Sequence, residues 1–76
     1  MYVELVEYMV KSLVDDPESV AVEETRETGQ VLLELRVAEP DMGRVIGKSG
    51  RVINAVRSIV QIAAAKKGDR VSLELI

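Results

Sequence analysis

The stretch that decides the fold of this 76-residue chain runs from position 45 to position 53 and reads Val45-Ile46-Gly47-Lys48-Ser49-Gly50-Arg51-Val52-Ile53. Two glycines three positions apart separate two segments of helical character. Glycine lacks a Cβ atom, so it adopts positive φ angles and lets another chain approach closely. A helix that begins near Gly50 would direct its free N–H groups toward this loop, which makes the loop a candidate anion-binding site.

Outward from the loop, apolar periodicity predicts three helices. Residues 2–14 form the first, which ends before Pro17 because proline disfavours helical geometry in the preceding residue. Asp41 is a suitable N-cap for a short helix through Ile46. Residues 51–67 form the longest helix, and two lysines and a glycine provide its stop. Its core-facing residues are expected to be Val52, Ile53, Val56, Ile59, Val60 and Ala63. The opposite, solvent-facing side is expected to carry Arg51, Asn54, Arg57, Ser58 and Gln61.

The remaining apolar segments alternate as strands do. Residues 19–28 form a polar strand suited to a sheet edge, and a glycine turn joins it to the cleanly alternating residues 31–38. Residues 70–76 form a last strand. Because a helical crossover precedes it, we expect this strand to pair in parallel with the second. The sequence therefore predicts one α+β domain of order α-β-β-α-α-β, with a three-stranded mixed sheet and the helices packed on one face.

Charge is strongly segregated along the chain. The net charge is −3, yet residues 1–41 hold 11 acids and 3 bases, whereas residues 42–68 hold 6 bases and no acid. A phosphate backbone responds to such a local field, so the basic segment favours a nucleic-acid partner. The chain has no cysteine and no histidine, which argues against disulfides, zinc and most nucleophilic triads. It also has no Phe or Trp for base stacking, and Tyr2 and Tyr8 are expected to pack.

The segment Ile46-Gly47-Lys48-Ser49-Gly50, followed by Ile53, resembles the I-G-x-x-G-x-x-I core of the KH domain, a module that binds single-stranded nucleic acid. In that family the loop clamps the backbone of about four nucleotides. The element order is similar to the type II arrangement. As a single KH domain over residues 1–76, the chain resembles the small stand-alone KH proteins of bacteria, the KhpA family. The resemblance implies a cytoplasmic RNA-binding protein, an RNA chaperone in post-transcriptional regulation, with a second KH-domain protein as a further partner.

The resemblance also implies an RNA site made of the loop and its neighbours. The four loop residues would clamp the RNA backbone, Arg44 and Arg51 would neutralise phosphates, and Ile46 would turn toward the bases. Residues 31–37 would line the far side of the groove. The expected site residues are Arg44, Val45, Ile46, Gly47, Lys48, Ser49, Gly50 and Arg51.

A second stripe on the long helix predicts self-association. It consists of residues at positions i, i+4, i+7 and i+11, namely Ala55, Ile59, Ile62 and Lys66. Ile62 points away from the core-facing valines, so one helix packed on a sheet leaves it exposed. A two-fold antiparallel pairing would bury the same patch from both chains. We therefore expect a homodimer.

Other interpretations of the loop and the long helix remain open. A Walker A loop needs its first glycine five residues before the second, and Gly43 stands four before Gly47. The glycines could simply turn the chain between helices, although a plain turn needs no lysine between them. Lys48 and Ser49 lack a third orienting group, so we expect no enzyme activity. We also expect no cofactor and, since Cys and His are missing, no metal. The alternative function is a protein–protein adaptor or dimerisation module built on residues 51–67.

Overall fold

The computed structural model describes all of residues 1–76 and has the predicted element order. The helices are α1 (Tyr2–Lys11), α2 (Met42–Ile46) and α3 (Arg51–Ala65), and the strands are β1 (Ala21–Glu27), β2 (Gln30–Arg36) and β3 (Arg70–Leu75). Short 3₁₀ turns lie at Pro17–Ser19, Glu39–Asp41 and Lys48–Gly50. None of the helices has the length and hydrophobicity that crossing a bilayer requires.

The sheet has β2 at its centre. This strand pairs antiparallel with β1 and parallel with β3, so both predicted pairings are confirmed. Leu33 of β2, for example, lies opposite Glu24 on one side and Leu73 on the other. Because both edges of β2 are occupied, the free edges of the sheet belong to β1 and β3.

The hydrophobic core lies between one face of this sheet and the helices. The strands contribute Val31, Leu33, Leu35, Val71 and Leu73, and the helices contribute Tyr2, Val6, Val10, Val45, Ile53, Val56, Val60 and Ala64. Two packing expectations are wrong, because Ile59 and Tyr8 are 47% and 75% exposed. The buried side of α3 is centred on Val60 and is completed by Ala64, which turns Ile59 out of the core.

Asp41 is a buried charged side chain at the start of α2. Its two carboxylate oxygens accept hydrogen bonds from the backbone N–H groups of Asp15, at 3.1 Å, and Asp16, at 3.0 Å. Asp41 is the N-cap residue of α2, as predicted, but its side chain makes no capping hydrogen bond to that helix. The two donors lie about 25 residues earlier in the chain, so local sequence spacing does not predict these hydrogen bonds. The carboxylate therefore ties the connection after α1 to the start of α2.

Tyr2 ties the start of α1 to the turn before β3. Its hydroxyl donates a hydrogen bond of 2.7 Å to Oδ2 of Asp69, and Nη1 of Arg26 lies 3.5 Å from the same oxygen. The bond from Tyr2 holds the pKa of the Asp69 carboxyl below its ordinary value. The same bond raises the pKa of the Tyr2 hydroxyl, which loses its proton less readily beside a carboxylate.

Tyr2→Phe is expected to flatten the dependence of stability on pH. The lowered pKa of Asp69 stabilises the fold above its ordinary value of 3.8, and this contribution is lost as the pH falls further. The raised pKa of Tyr2 stabilises the fold below its ordinary value of 10.0, and this contribution is lost as the pH rises further. Urea unfolding of both proteins, from below pH 3.8 to above pH 10.0, should show the wild-type advantage shrinking at both ends. A constant difference in the free energy of unfolding would contradict this linkage.

Candidate nucleic-acid interface

The loop between α2 and α3 has a backbone that suits glycine. Gly47 has φ 75° and ψ 173°, and Gly50 has φ 78° and ψ 13°, so the expected positive φ angles are confirmed. Ser49, between them, is left-handed as well, with φ 58°. The N–H of Gly50 donates to the carbonyl of Gly47 at 3.1 Å. This bond closes the loop into a tight turn at the start of α3.

Gly47 also makes a close approach to Val52 in the first turn of α3. A Cβ atom on Gly47 would lie 2.9 Å from both the Cβ and the backbone nitrogen of Val52, and closer still to Cγ2. A Cβ atom on Gly50 would have only Nδ2 of Asn54 near it, at 3.6 Å. Gly47 is therefore required both by its φ angle and by the contact, whereas Gly50 is required by its φ angle alone.

The N-terminus of α3 opens directly onto the loop. No side chain caps it, and its first turn holds no acidic residue. The first N–H groups of a helix have no partner within the helix, and they carry the positive end of its dipole. The N–H groups of Gly50 and Arg51 donate to the carbonyls of Gly47 and Lys48. The loop therefore presents the positive end of the α3 dipole to whatever lies over it.

The cations near the loop differ in whether they are already paired. Lys48 and Arg51 are exposed and form no ion pair. Nη2 of Arg44, in contrast, lies 3.3 Å from Oδ2 of Asp15. Two unpaired positive charges thus lie at the loop itself, and a third, on α2, is partly neutralised.

The side chains of Val45 and Ile46, the last two residues of α2, differ in burial. Val45 is fully buried and packs in the core, so its side chain is not available to RNA, which corrects its place among the expected site residues. The cause is its position on the side of α2 that faces the core. Ile46 is 38% exposed and lies directly before Gly47. Its apolar side chain is therefore available beside the loop.

The strand that can face a ligand is β3 and not β2. The backbone of β2 is paired on both sides, and its inward side chains are buried, so the expectation that residues 31–37 line the groove is wrong. In β3, the N–H groups of Arg70 and Ile76 donate toward β2 and its turn. The N–H and C=O groups of the alternate residues, including Leu73, therefore point to the free edge.

Polar contacts connect the loop to this free edge. Asn54 lies beside Gly50, and its Oδ1 accepts a hydrogen bond of 2.7 Å from Nη1 of Arg57. Nε and Nη2 of Arg57 donate to the carbonyl of Leu73 at 3.3 Å and 3.0 Å. The guanidinium has no carboxylate partner. Sequence reasoning placed Asn54 and Arg57 only on a solvent-facing side, because the contact with β3 spans 16 residues.

The other side of α3 forms an apolar groove with α1. Its apolar lining includes Tyr8, Met9, Leu13, Val52, Ala55 and Ile59. The four residues of the predicted dimer stripe are exposed, and Ile62 is 63% exposed. Arg51, the first residue of α3, also lines the groove, so one end of the groove adjoins the loop.

A glycine loop of this geometry between two helices, on a mixed sheet of order β1-β2-β3, defines a KH domain of the type II arrangement. The family model of the KH domain of KhpA and KhpB matches residues 3–75. The chain belongs to this family, as the sequence resemblance predicts.

Relatives and solved structures agree with this assignment. The chain is 49% identical to the RNA-binding protein KhpA of Clostridium perfringens, over 96% of this chain and 97% of the relative. It is 44% identical to the RNA-binding protein KhpA of Chlamydia pneumoniae, over 96% and 94%. The fold is similar to the crystal structure of Era in complex with MgGDPNP and nucleotides 1506–1542 of 16S ribosomal RNA. That match has a TM-score of 0.69 at 22% identity and covers 97% of this chain and 28% of that longer chain.

Gly47→Ala is expected to destabilise the protein by at least about 2 kcal/mol, because strain at a glycine-only φ adds to a clash with Val52. Gly43→Ala is the matched control. Gly43 lies within α2, has no positive φ, and has open space where a Cβ would stand, so alanine should be neutral or stabilising there. Urea unfolding measures both. Equal stabilities for the two variants would contradict the close approach.

Proposed function

We propose that this chain is a non-catalytic RNA-binding protein that holds single-stranded RNA over the glycine loop. The observation that carries the proposal is the convergence of the uncapped, positive N-terminal end of α3 with the unpaired cations Lys48 and Arg51. The names of the curated relatives, which describe RNA-binding proteins, support it. The geometry also favours a phosphate-containing ligand over a plain turn between helices, which would need neither cation.

The RNA backbone would lie across the loop. Gly47 and Gly50 carry no side chain, so a sugar–phosphate chain can approach the first-turn N–H groups of α3 closely. Lys48 and Arg51 would flank the same phosphates. This arrangement neutralises backbone charge without reading sequence, as phosphate contacts do in general.

The bases would lie between Ile46 and the free edge of β3. Ile46 offers an apolar contact, Arg57 offers guanidinium donors, and Leu73 offers a backbone N–H on the open edge. No aromatic side chain is present to stack on them apart from the two tyrosines, which lie on α1. In other proteins that bind single strands, stacking on aromatic residues adds about 1–3 kcal/mol per base. Because this contribution is missing here, we expect affinity for RNA in the micromolar range.

The wider role proposed for the chain is that of an RNA chaperone in post-transcriptional regulation in the bacterial cytoplasm. The support for the bacterial setting is that the curated relatives come from bacteria. A second KH-domain protein is part of this proposal as a partner.

The exposed stripe on α3 supports a second proposal, a homodimer. Ile59 and Ile62 are 47% and 63% exposed, and Ala55 beside them leaves room for a close helix crossing. An antiparallel crossing would keep the two copies of Lys66 apart and leave both glycine loops accessible. The alternative function, a protein–protein adaptor, would use this same surface of α3 with the loop playing no part.

Replacing Lys48 and Ser49 with aspartate is expected to weaken binding to a short single-stranded RNA at least about tenfold. Two anions beside a phosphate oppose it by about 1–4 kcal/mol for each close charge. The fold should persist, since both glycines remain and aspartate tolerates the left-handed backbone of Ser49. Fluorescence anisotropy measures binding, and circular dichroism measures folding.

The matched control for this variant is Lys11→Asp combined with Ser12→Asp. Lys11 and Ser12 form the same dipeptide at the exposed end of α1, so the change in net charge is identical. The control should keep most of the wild-type affinity.

Salt titration of the wild type should give a slope of log K against log salt between about −1.4 and −2.1, for two to three phosphates. A flat salt profile, or equal affinity of the loop variant and wild type, would favour the adaptor function.

Ile62→Asp is expected to give a folded monomer, because a buried carboxylate would face its own copy across the two-fold axis. Gln61→Asp is the control, since Gln61 is an exposed neighbour on the polar side of α3. Sedimentation equilibrium distinguishes the two variants. A wild-type protein that is already monomeric at about tens of micromolar would exclude the homodimer.

A further inference from the structure

Arg44 differs from the other cations near the loop because it already forms an ion pair with an acidic residue of the same chain. Nη2 of Arg44 lies 3.3 Å from Oδ2 of Asp15, and the two side chains are 57% and 77% exposed. Lys48 and Arg51 have no such partner. The one anion paired to a cation of the candidate RNA surface is therefore Asp15.

Hydrogen bonds to Asp41 fix the position of the Asp15 backbone. Its N–H donates to Oδ1 of Asp41 at 3.1 Å, and the N–H of Asp16 donates to Oδ2 of the same residue at 3.0 Å. Asp41 is 3% exposed, so these charge-assisted bonds are largely shielded from water. The backbone of Asp15 is thus held beside α2 by a buried anchor, which places its exposed carboxylate within reach of Arg44.

We propose that Asp15 limits the affinity of the glycine loop for RNA, by neutralising Arg44 and by placing a negative charge beside the path of the phosphates. This inference rests on the proposed function of the loop. An exposed ion pair of this kind is weak, so an RNA phosphate competes with Asp15 for Arg44. Asp15 therefore lowers the affinity of the loop for RNA without blocking binding.

Asp15→Asn tests the proposal directly. The variant keeps the backbone N–H that binds Asp41 and has nearly the same shape, but it releases Arg44. Affinity for a short single-stranded RNA should rise about two- to fivefold at low salt, the range that an exposed ion pair supplies. The slope of log K against log salt should become steeper by about 0.7, for one additional phosphate.

Glu18→Gln is the control for net charge. Glu18 lies in the same connection between α1 and β1, is exposed and forms no ion pair, so the variant removes one negative charge without releasing Arg44. Its affinity should rise less, and its salt slope should equal that of the wild type. Equal gains from both variants would overturn the proposal in favour of a general charge effect.

Arg44→Gln shows whether Arg44 mediates the effect. In this background Asp15→Asn should no longer steepen the salt slope, and most of its gain in affinity should be gone. A gain that persists in full would overturn the pairing with Arg44. A loss of affinity for Asp15→Asn alone would overturn the proposal as well, since Asp15 would then position Arg44 for phosphate.

The aspartate variant of Lys48 and Ser49 separates this proposal from the proposed function. If the wild type does not bind RNA, or if that variant binds RNA as tightly as the wild type, both the proposed function and the role of Asp15 are overturned. If binding depends on the loop and Asp15→Asn leaves affinity and salt slope unchanged, only the role of Asp15 is overturned.

Discussion

The close approach of Gly47 to Val52 is the constraint on which the rest of the site depends. Because no Cβ stands between them, α2 can end and α3 can begin within a few residues. That short connection turns Val45 into the core and leaves Ile46 exposed, one position apart. It also directs the uncapped N-terminus of α3 toward the loop. The same contact therefore shapes the core on one side and a positively charged surface on the other.

Acidic residues in the first part of the chain support this surface structurally. Asp41 anchors the connection after α1 to the start of α2, and Asp15, held by that anchor, pairs with Arg44. On the other side of α3, Arg57 donates to a carbonyl and to Asn54 instead of pairing with an acid. The segregation of charge along the sequence thus becomes a surface on which the free cations Lys48 and Arg51 lie at the loop and the paired Arg44 lies on α2.

Local patterns in the sequence predicted the order of elements, the mixed sheet and the positive φ angles of both loop glycines. The elements and the glycine angles depend on residues near one another in the chain, where periodicity and glycine chemistry are informative. The parallel pairing of β2 with β3 follows from the general rule for strands joined by a helical crossover. Other features depend on residues that are distant in the sequence, so local spacing does not predict them. They are the partners of Asp41, the burial of Val45 and the contact of Arg57 with β3. The resemblance to the KH domain places the far side of the groove on residues 31–37, whereas the open edge of the sheet belongs to β3 and is a property of the whole sheet.

The most direct test of the central claim is NMR mapping of the protein, with labelled backbone amides, as a short single-stranded RNA is added. RNA binding over the loop predicts the largest shift changes at Gly47, Gly50 and Arg51, with further changes at Asn54 and at Leu73 on the free edge of β3. Changes confined to Tyr8, Met9 and Leu13 on the α1 side of the apolar groove, or to the outer face of the sheet, would contradict it.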